Sequence, residues 1–429
     1  MDAPCSEPTG PTGDNPVPLT EPAEGVPPVV SDPTTLRRAA AALSGGTGPV
    51  AVDTERASGY RYSQRAYLVQ LRREGAGTVL VDPVALSGRI DPLAEALEGT
   101  EWVLHAASQD LPCLAELGLR PTVLFDTELA GRLAGFDRVA LGAMVERLLG
   151  YRLEKGHGAA DWSRRPLPED WLTYAALDVE LLVPLRDVLE RELTAQGKLD
   201  WALQEFEAVR TAPLSKPRAE PWRRTSGIHR LRNPRQLAAV RALWEARDGL
   251  ARQRDIAPGR VLPDSAIIDA AVNDPATEPE LLALPVFRGR SQRRSARVWS
   301  EALAAARELT RKELPEVSPP HDGPPPPNRW SDRDPDAAAR LAAVRAALTG
   351  IADRLRMPVE NLLLPDLVRR TCWEPPADLG VASVTEVLRA GNARPWQVEL
   401  AAGPLSEALR TTAASASDVH DKPPLVTGE

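Results

Sequence analysis

Cysteine is scarce: the 429 residues include only Cys5, Cys113 and Cys372. They lie too far apart for a disulfide framework or a Cys-x-x-Cys metal knuckle. A reducing compartment, the cytoplasm, and no disulfide-linked partner are therefore expected. The few histidines form no His/Cys cluster of the kind that holds zinc. Apolar runs of the roughly 18 residues that cross a bilayer are missing. The N-terminus is acidic and Pro-rich, without a basic start or an apolar h-region, so neither a membrane partner nor secretion is expected. Only 5 of the 52 basic residues are lysine. That arginine bias, with abundant Ala, Gly and Pro, points to a high-GC coding sequence and carries no chemistry.

What is present fits a globular chain of two or three domains, 43% apolar and 26% charged. The 42 prolines are about twice the usual share, so part of the length is linker. The net charge of −8 argues against chain-wide nucleic-acid affinity, but it is uneven. Residues 1–50 hold 2 basic and 6 acidic residues, whereas residues 211–310 hold 18 basic and 11 acidic ones. One basic segment is hidden by the average.

Residues 1–32 lack periodicity and read as a disordered tail. A compact domain follows over 33–210. The short apolar runs at 50–53, 66–71 and 78–81, with a turn-prone Arg-Glu-Gly-Ala-Gly at 73–77, predict an antiparallel meander. Helices at 91–98, 108–117, 127–134 and 138–149 alternate with strands at 102–105 and 123–125. A long amphipathic helix is expected from Pro168 to Ala195. The fold class is α/β, a mixed five-stranded sheet with flanking helices. A linker at 211–227, a helical module at 228–312, a Pro-rich linker at 313–329, a second helical module at 330–415 and a disordered tail at 416–429 complete the chain. Ala-Ala-Val-Arg-Ala at 238–242 recurs at 342–346, and Leu-Pro-Asp at 262–264 recurs at 364–366. The two modules read as a divergent duplication.

Three acidic motifs stand in order. Asp53 and Glu55 end the first strand as Asp-Thr-Glu, and residues two apart on a strand point to one side. Asp110 follows the strand at 102–105 and opens a helix. Tyr174 and Asp178, four apart, share one helix face. Taken singly, these read as a solvated strand end, a helix-start acid favoured by the helix dipole, and a core tyrosine beside an exposed acid.

In this order they are the motifs of the DEDDy 3′–5′ exonucleases, and residues 49–195 resemble the catalytic domain of the ribonuclease D family. Phe-Asp-Thr-Glu-Leu-Ala at 125–130 and Asp-Trp-Ser-Arg-Arg-Pro-Leu at 161–167 are similar to family segments. Residues 230–310, with Ala-Arg-Gln-Arg-Asp-Ile-Ala-Pro-Gly-Arg-Val-Leu-Pro-Asp at 251–264, resemble the HRDC module, and 330–415 would be a second. The resemblance implies an RNase-H-like fold and a metal-dependent 3′–5′ exoribonuclease that releases nucleoside 5′-monophosphates. It further implies that Asp53, Glu55, Asp110 and Asp178 hold two divalent ions, Mg²⁺ or Mn²⁺. Such hard cations take oxygen ligands, and a pair about 4 Å apart serves phosphodiester hydrolysis. Tyr174 would orient the attacking water.

The implied partner is RNA with a free 3′ end, tRNA precursors above all, acted on by a monomer. Arg56, directly after Asp-Thr-Glu, departs from many relatives; it meets a substrate phosphate or lies on the surface. Lys155 and His157, in the Gly-rich loop at 155–158, are candidates to cover the strand. Arg288, Arg290, Arg293, Arg294 and Arg297 form a patch suited to phosphate contacts, or a solvated basic face. His105 reads as structural, and Trp162, Trp171 and Trp201 as core residues or base-stacking platforms. A DNA exonuclease and a non-catalytic RNA-binding adaptor on the same fold are the alternative readings.

Overall fold

The computed structural model describes residues 15–154, 156–213, 218–318 and 323–420, with side chains as far as 414. Residues 15–32 are not the tail that their lack of periodicity predicts. β1 (Val17–Leu19) pairs in parallel with Tyr151–Leu153, and Val30 bridges to Val81. Main-chain hydrogen bonds hold this strap, with Val30 N–H donating to the Leu80 carbonyl at 2.8 Å and Asp82 N–H to that of Val30 at 3.0 Å. Such pairing needs no side-chain pattern, which is why composition missed it.

α1 (Pro33–Gly45), capped by Asp32, leads into β2 (Thr47–Arg56), β3 (Ala66–Glu74) and β4 (Gly77–Val81), the expected meander. After α2 (Asp91–Ala96), β5 (Glu101–Leu104), α3 (Leu111–Glu116) and β6 (Val123–Asp126), the sheet order is β4-β3-β2-β5-β6. β2, β5 and β6 are parallel, so the sheet is mixed and five-stranded. α4 (Thr127–Ala134), α5 (Leu141–Leu149) and β7 (Tyr151–Leu153) follow. Strand alternation divides β2: Val50 and Val52 join a core with Leu36, Leu43 and Leu114, while Ala51 faces the opposite layer.

The single helix expected at 168–195 is two, α6 (Glu169–Glu180) and α7 (Leu182–Ala195), broken at Leu181. Pro184 explains the break: it offers no N–H, and its ring would clash with the carbonyl four residues earlier. α8 (Leu199–Thr211) closes the α/β domain.

The first helical module comprises α9 (Pro234–Arg254), α10 (Pro258–Val261), α11 (Asp264–Asn273), α12 (Glu278–Ala283), α13 (Arg290–Arg294) and α14 (Ala296–Glu308). The linker expected at 211–227 ends early, because Trp222 is already buried in this module's core. The second module comprises α15 (Trp330–Arg333), α16 (Pro335–Leu355), α17 (Val359–Leu362), α18 (Pro365–Trp373), α19 (Val381–Ala390) and α20 (Pro395–His420), which runs past the expected end at 415.

Both modules contain a 21-residue helix followed by a four-residue helix and then one of ten or nine, the second module placing α15 before this run. Each long helix ends on a non-glycine residue in the left-handed region, Asp255 at φ 47° and Arg356 at φ 50°. The recurring pentapeptide and tripeptide are nonetheless out of register with these elements. The pentapeptide begins four residues after Pro234 in α9 but seven after Pro335 in α16. Leu-Pro-Asp spans the α10–α11 junction with Asp264 opening α11, whereas Asp366 is the second residue of α18.

The two modules attach differently. The second shares one core with the α/β domain, running from Val103 and Phe125 through Leu185 and Phe206 to Leu341, Trp396 and Leu405. Trp201 stacks on Trp396 with ring centroids 5.1 Å apart, and Trp396 Nε1–H donates to Glu205 at 3.1 Å. The first module has a core of its own, which Tyr62 of the α/β domain joins at the edge.

Candidate active site

β2 sets the site. Its alternation sends Asp53 and Glu55 to the face covered by α6 and sends Thr54 the other way, toward α3. Asp178 comes from the third turn of α6, one turn after Tyr174. Carboxylate oxygens of Asp53, Glu55 and Asp178 all lie within 4.8 Å of one another, the one such cluster of potential metal ligands among the described residues. Asp110 lines the same cleft from the start of α3, and Thr54 Oγ1 donates to its Oδ1 at 2.6 Å. The cleft has a volume of about 1450 Å³ and also holds Tyr174 and Arg56 in its wall.

Burial, joined at Asp53 and Glu55 by repulsion from the neighbouring acids, raises the pKa of all four when no cation is near. Desolvation, then the charges of Asp53, Asp178 and Asp110, push the Glu55 carboxyl up to about 10. Desolvation with Asp110 and Asp178 raises Asp53 well above the usual carboxylate range. Burial lifts Asp178 to about 7 and Asp110 to about 6, against the hydrogen bonds of Tyr174 and Thr54 respectively. A cluster of oxygen donors that cannot all ionise together fits divalent cations, which would supply the missing positive charge. The Tyr174 hydroxyl hydrogen-bonds to Asp178, and burial with the carboxylates nearby raises its pKa, so the phenol keeps its proton.

Arg56, two residues after Thr54 in β2, lines the cleft with its guanidinium 4.0 Å from Asp110, and the β2–β3 register is irregular between Glu55 and Arg56. His157 packs against Tyr174 edge-on and stacks on Trp171, and its Nε2 is 3.3 Å from Asp170. Gly156 lets this loop lie on Tyr174, since a Cβ there would stand 3.1 Å from the ring. Lys155 is outside the described residues. Of the basic patch, Arg288 donates to the Ala283 carbonyl, Arg293 to that of Arg288, and Arg297 pairs with Glu301 at 2.7 Å. Arg290 and Arg294 are exposed and make no such contact among the described residues.

Several candidates resolve as architecture. His105 bonds Thr127 Oγ1 at 2.9 Å, and burial drives its pKa down to about 4. Trp162 is fully buried, and Trp201 packs in the interface with the second module. Asp126 caps α4 and takes the N–H groups of Ala106 and Ala107 at 3.1 and 2.8 Å, fixing the turn that leads to Asp110. Arg165 grips Asp82 at 2.6 and 2.9 Å and accounts for the 161–167 stretch. Sequence reasoning missed Thr54, whose signal was its place inside Asp-Thr-Glu, and Arg138, an exposed cleft residue in a loop with no motif.

Residues 27–194 match a family model described as 3′–5′ exonuclease, residues 236–303 one described as HRDC domain, and residues 323–409 one described as 3′ to 5′ exonuclease C-terminal domain. The chain is 32% identical over 346 residues to ribonuclease D of Nitrobacter hamburgensis, covering 77% of this chain and 85% of the relative. It is 33% identical over 339 residues to ribonuclease D of Gluconacetobacter diazotrophicus, covering 77% and 82%. A protein of Bifidobacterium adolescentis superposes with a TM-score of 0.85 at 38% identity, over 92% of this chain and 100% of that one. Escherichia coli RNase D, described as an exoribonuclease involved in structured RNA processing, superposes at 0.65 with 25% identity, over 90% and 98%.

Proposed function

Because the chain belongs to the ribonuclease D family and is a 3′–5′ exoribonuclease, we propose that Asp53, Glu55, Asp110 and Asp178 hold two divalent ions, Mg²⁺ or Mn²⁺, at its catalytic centre. The observation that carries this is the convergence of acids from β2, the start of α3 and α6 on one cleft, three of them within 4.8 Å. When bound, the ions supply Lewis acidity to the attacking water and to the scissile phosphate.

The chain's own residues do the positioning. Tyr174, protonated and bonded to Asp178, presents a hydroxyl that orients the attacking water and does not remove its proton. Thr54 holds Asp110 from behind. Arg56 meets a phosphate of the 3′-terminal strand, with Asp110 steering its guanidinium. Arg290 and Arg294 give further phosphate contacts that position RNA without reading sequence.

The substrates in this reading are 3′-extended structured RNAs, tRNA precursors above all, trimmed to nucleoside 5′-monophosphates by a cytoplasmic monomer. The two described cysteines are free and buried, as a reducing compartment allows, and no helix among the described residues is long and apolar enough to cross a membrane. The matching helix lengths support reading 330–415 as a diverged copy of the first module. Manganese titration tests the metal assignment: wild type should bind two ions and Asp178→Asn fewer or far more weakly. Equal stoichiometry and affinity in the variant would remove the site.

A further inference from the structure

The loop joining β2 to β3, residues 57–65, begins one residue after Arg56 and places Ser58 and Gly59 in the cleft wall. Its far side meets the first helical module. Arg260 Nε–H donates to the Gly59 carbonyl at 2.7 Å, and its guanidinium lies 4.0 Å from the Tyr60 ring centroid. Ala257 N–H donates to the Tyr60 carbonyl at 2.9 Å, and Ser63 N–H donates to Asp255 Oδ1 at 3.0 Å. The Tyr62 hydroxyl donates to Asp248 at 3.0 Å and accepts from Arg252 at 3.2 Å. Three main-chain groups and two rings of one short loop are thus satisfied by another module.

Without those partners the loop would keep many conformations, because ordering each residue costs backbone entropy. With them, the cleft wall beside the acids is held before substrate arrives. We propose that the module of α9–α14 is a positioning clamp on the catalytic cleft, holding Arg56, Ser58 and Gly59 in place through the β2–β3 loop. Turnover then depends on this module even for an RNA too short to reach the exposed Arg290 and Arg294. The clamp rests on the reading of the cleft as the active centre.

The test uses the full chain with Asp248→Ala, Asp255→Ala and Arg260→Ala combined. A milder variant, Tyr62→Phe, keeps the ring and removes only the hydroxyl contacts. Two readouts are needed: amide hydrogen exchange across 57–65, and kcat and KM on a trinucleotide and on a long 3′-extended RNA. Expected are faster exchange in the loop and a loss of about tenfold in kcat/KM on the trinucleotide, the scale at which small misplacements act. Asp255→Asn, which keeps an acceptor for Ser63 N–H, should retain most of the rate. Arg290→Gln with Arg294→Gln should weaken only the long RNA.

Unchanged loop exchange overturns the clamp, and so does an opened loop with wild-type trinucleotide kinetics. Should the wild-type protein cut neither RNA, the exonuclease reading fails. The clamp is then judged on exchange alone, an opened loop in the variants supporting it and an unchanged loop ending it.

Discussion

Thr54 Oγ1 donates a 2.6 Å hydrogen bond to Asp110 Oδ1, tying the middle of Asp-Thr-Glu to an acid 56 residues away. The same hydroxyl is 3.3 Å from Cys113 Sγ, so it sits between β2 and the first turn of α3. Strand alternation makes this possible, because the residue between two cleft-facing acids must face the opposite side.

Thr54→Val keeps the shape and removes the donor. A hydrogen bond to a charged group contributes about 1.5–3 kcal/mol, so kcat is expected to fall by roughly ten- to a hundredfold. Thr54→Ser should keep most of it. Steady-state kinetics on a 3′-extended RNA checks both, and a wild-type rate for the valine variant would separate Asp110 from catalysis.

Metal affinity should rise with pH. The raised carboxyls of Asp110, Asp178 and Glu55, near 6, 7 and 10, hold protons that a cation must displace. Manganese titrations at about pH 6 and about pH 8 should show tighter binding at the higher value, with protons released. The sign for the metal-free protein is opposite. Groups with folded pKa values above their unfolded ones stabilise below the unfolded value, and that contribution is lost as pH rises through the folded ones. Its melting temperature should therefore fall across that window unless metal is added.

Tyr174→Phe should lower kcat at least about tenfold, on the scale of a positioned proton-bearing group, with little change in melting temperature. Gly156→Ala would bring a methyl to 3.1 Å from the Tyr174 ring and should cost a smaller factor in the same parameter. An unaltered rate in Tyr174→Phe would take the hydroxyl out of the reaction.

Replacing Arg290 and Arg294 with glutamine should flatten the salt dependence of single-stranded RNA binding by about 1.4 in the log–log slope, at roughly 0.7 per phosphate contact. Arg297→Gln should do less, since its guanidinium already pairs with Glu301. Filter binding over a salt series reads both.

Trp396→Ala should destabilise the chain by about 3–5 kcal/mol, because the ring is buried between the second module and α8. Thermal unfolding should shift as one transition for the catalytic domain and second module together. Two separated transitions would mean that they do not share a core.

The proposed site was legible through its order. Singly, Asp53 with Glu55, Asp110, and Tyr174 with Asp178 fit ordinary strand and helix positions, and only their succession resembles the exonuclease motifs. Other features depend on partners distant in sequence. The strap at 15–32 is held by main-chain bonds that leave no hydrophobic pattern. Asp126, Thr127 and Glu128 repeat Asp-Thr-Glu but stand at a helix start, where the first acid caps backbone amides and the pair cannot align along a strand. The break at Leu181 was within reach, since Pro184 was in plain view. The out-of-register peptides are a caution of the opposite kind: the modules match in their helices, and those short identities do not mark how.

The measurement that bears most directly on the account is a time course on a 5′-labelled, 3′-extended RNA with Mg²⁺, with Mn²⁺ and with EDTA. Matching single-stranded DNA and the Asp178→Asn variant run alongside. The account predicts a metal-dependent ladder shortening from the 3′ end of the RNA, lost with EDTA and in the variant while RNA binding remains. A ladder that survives Asp178→Asn or EDTA would contradict it.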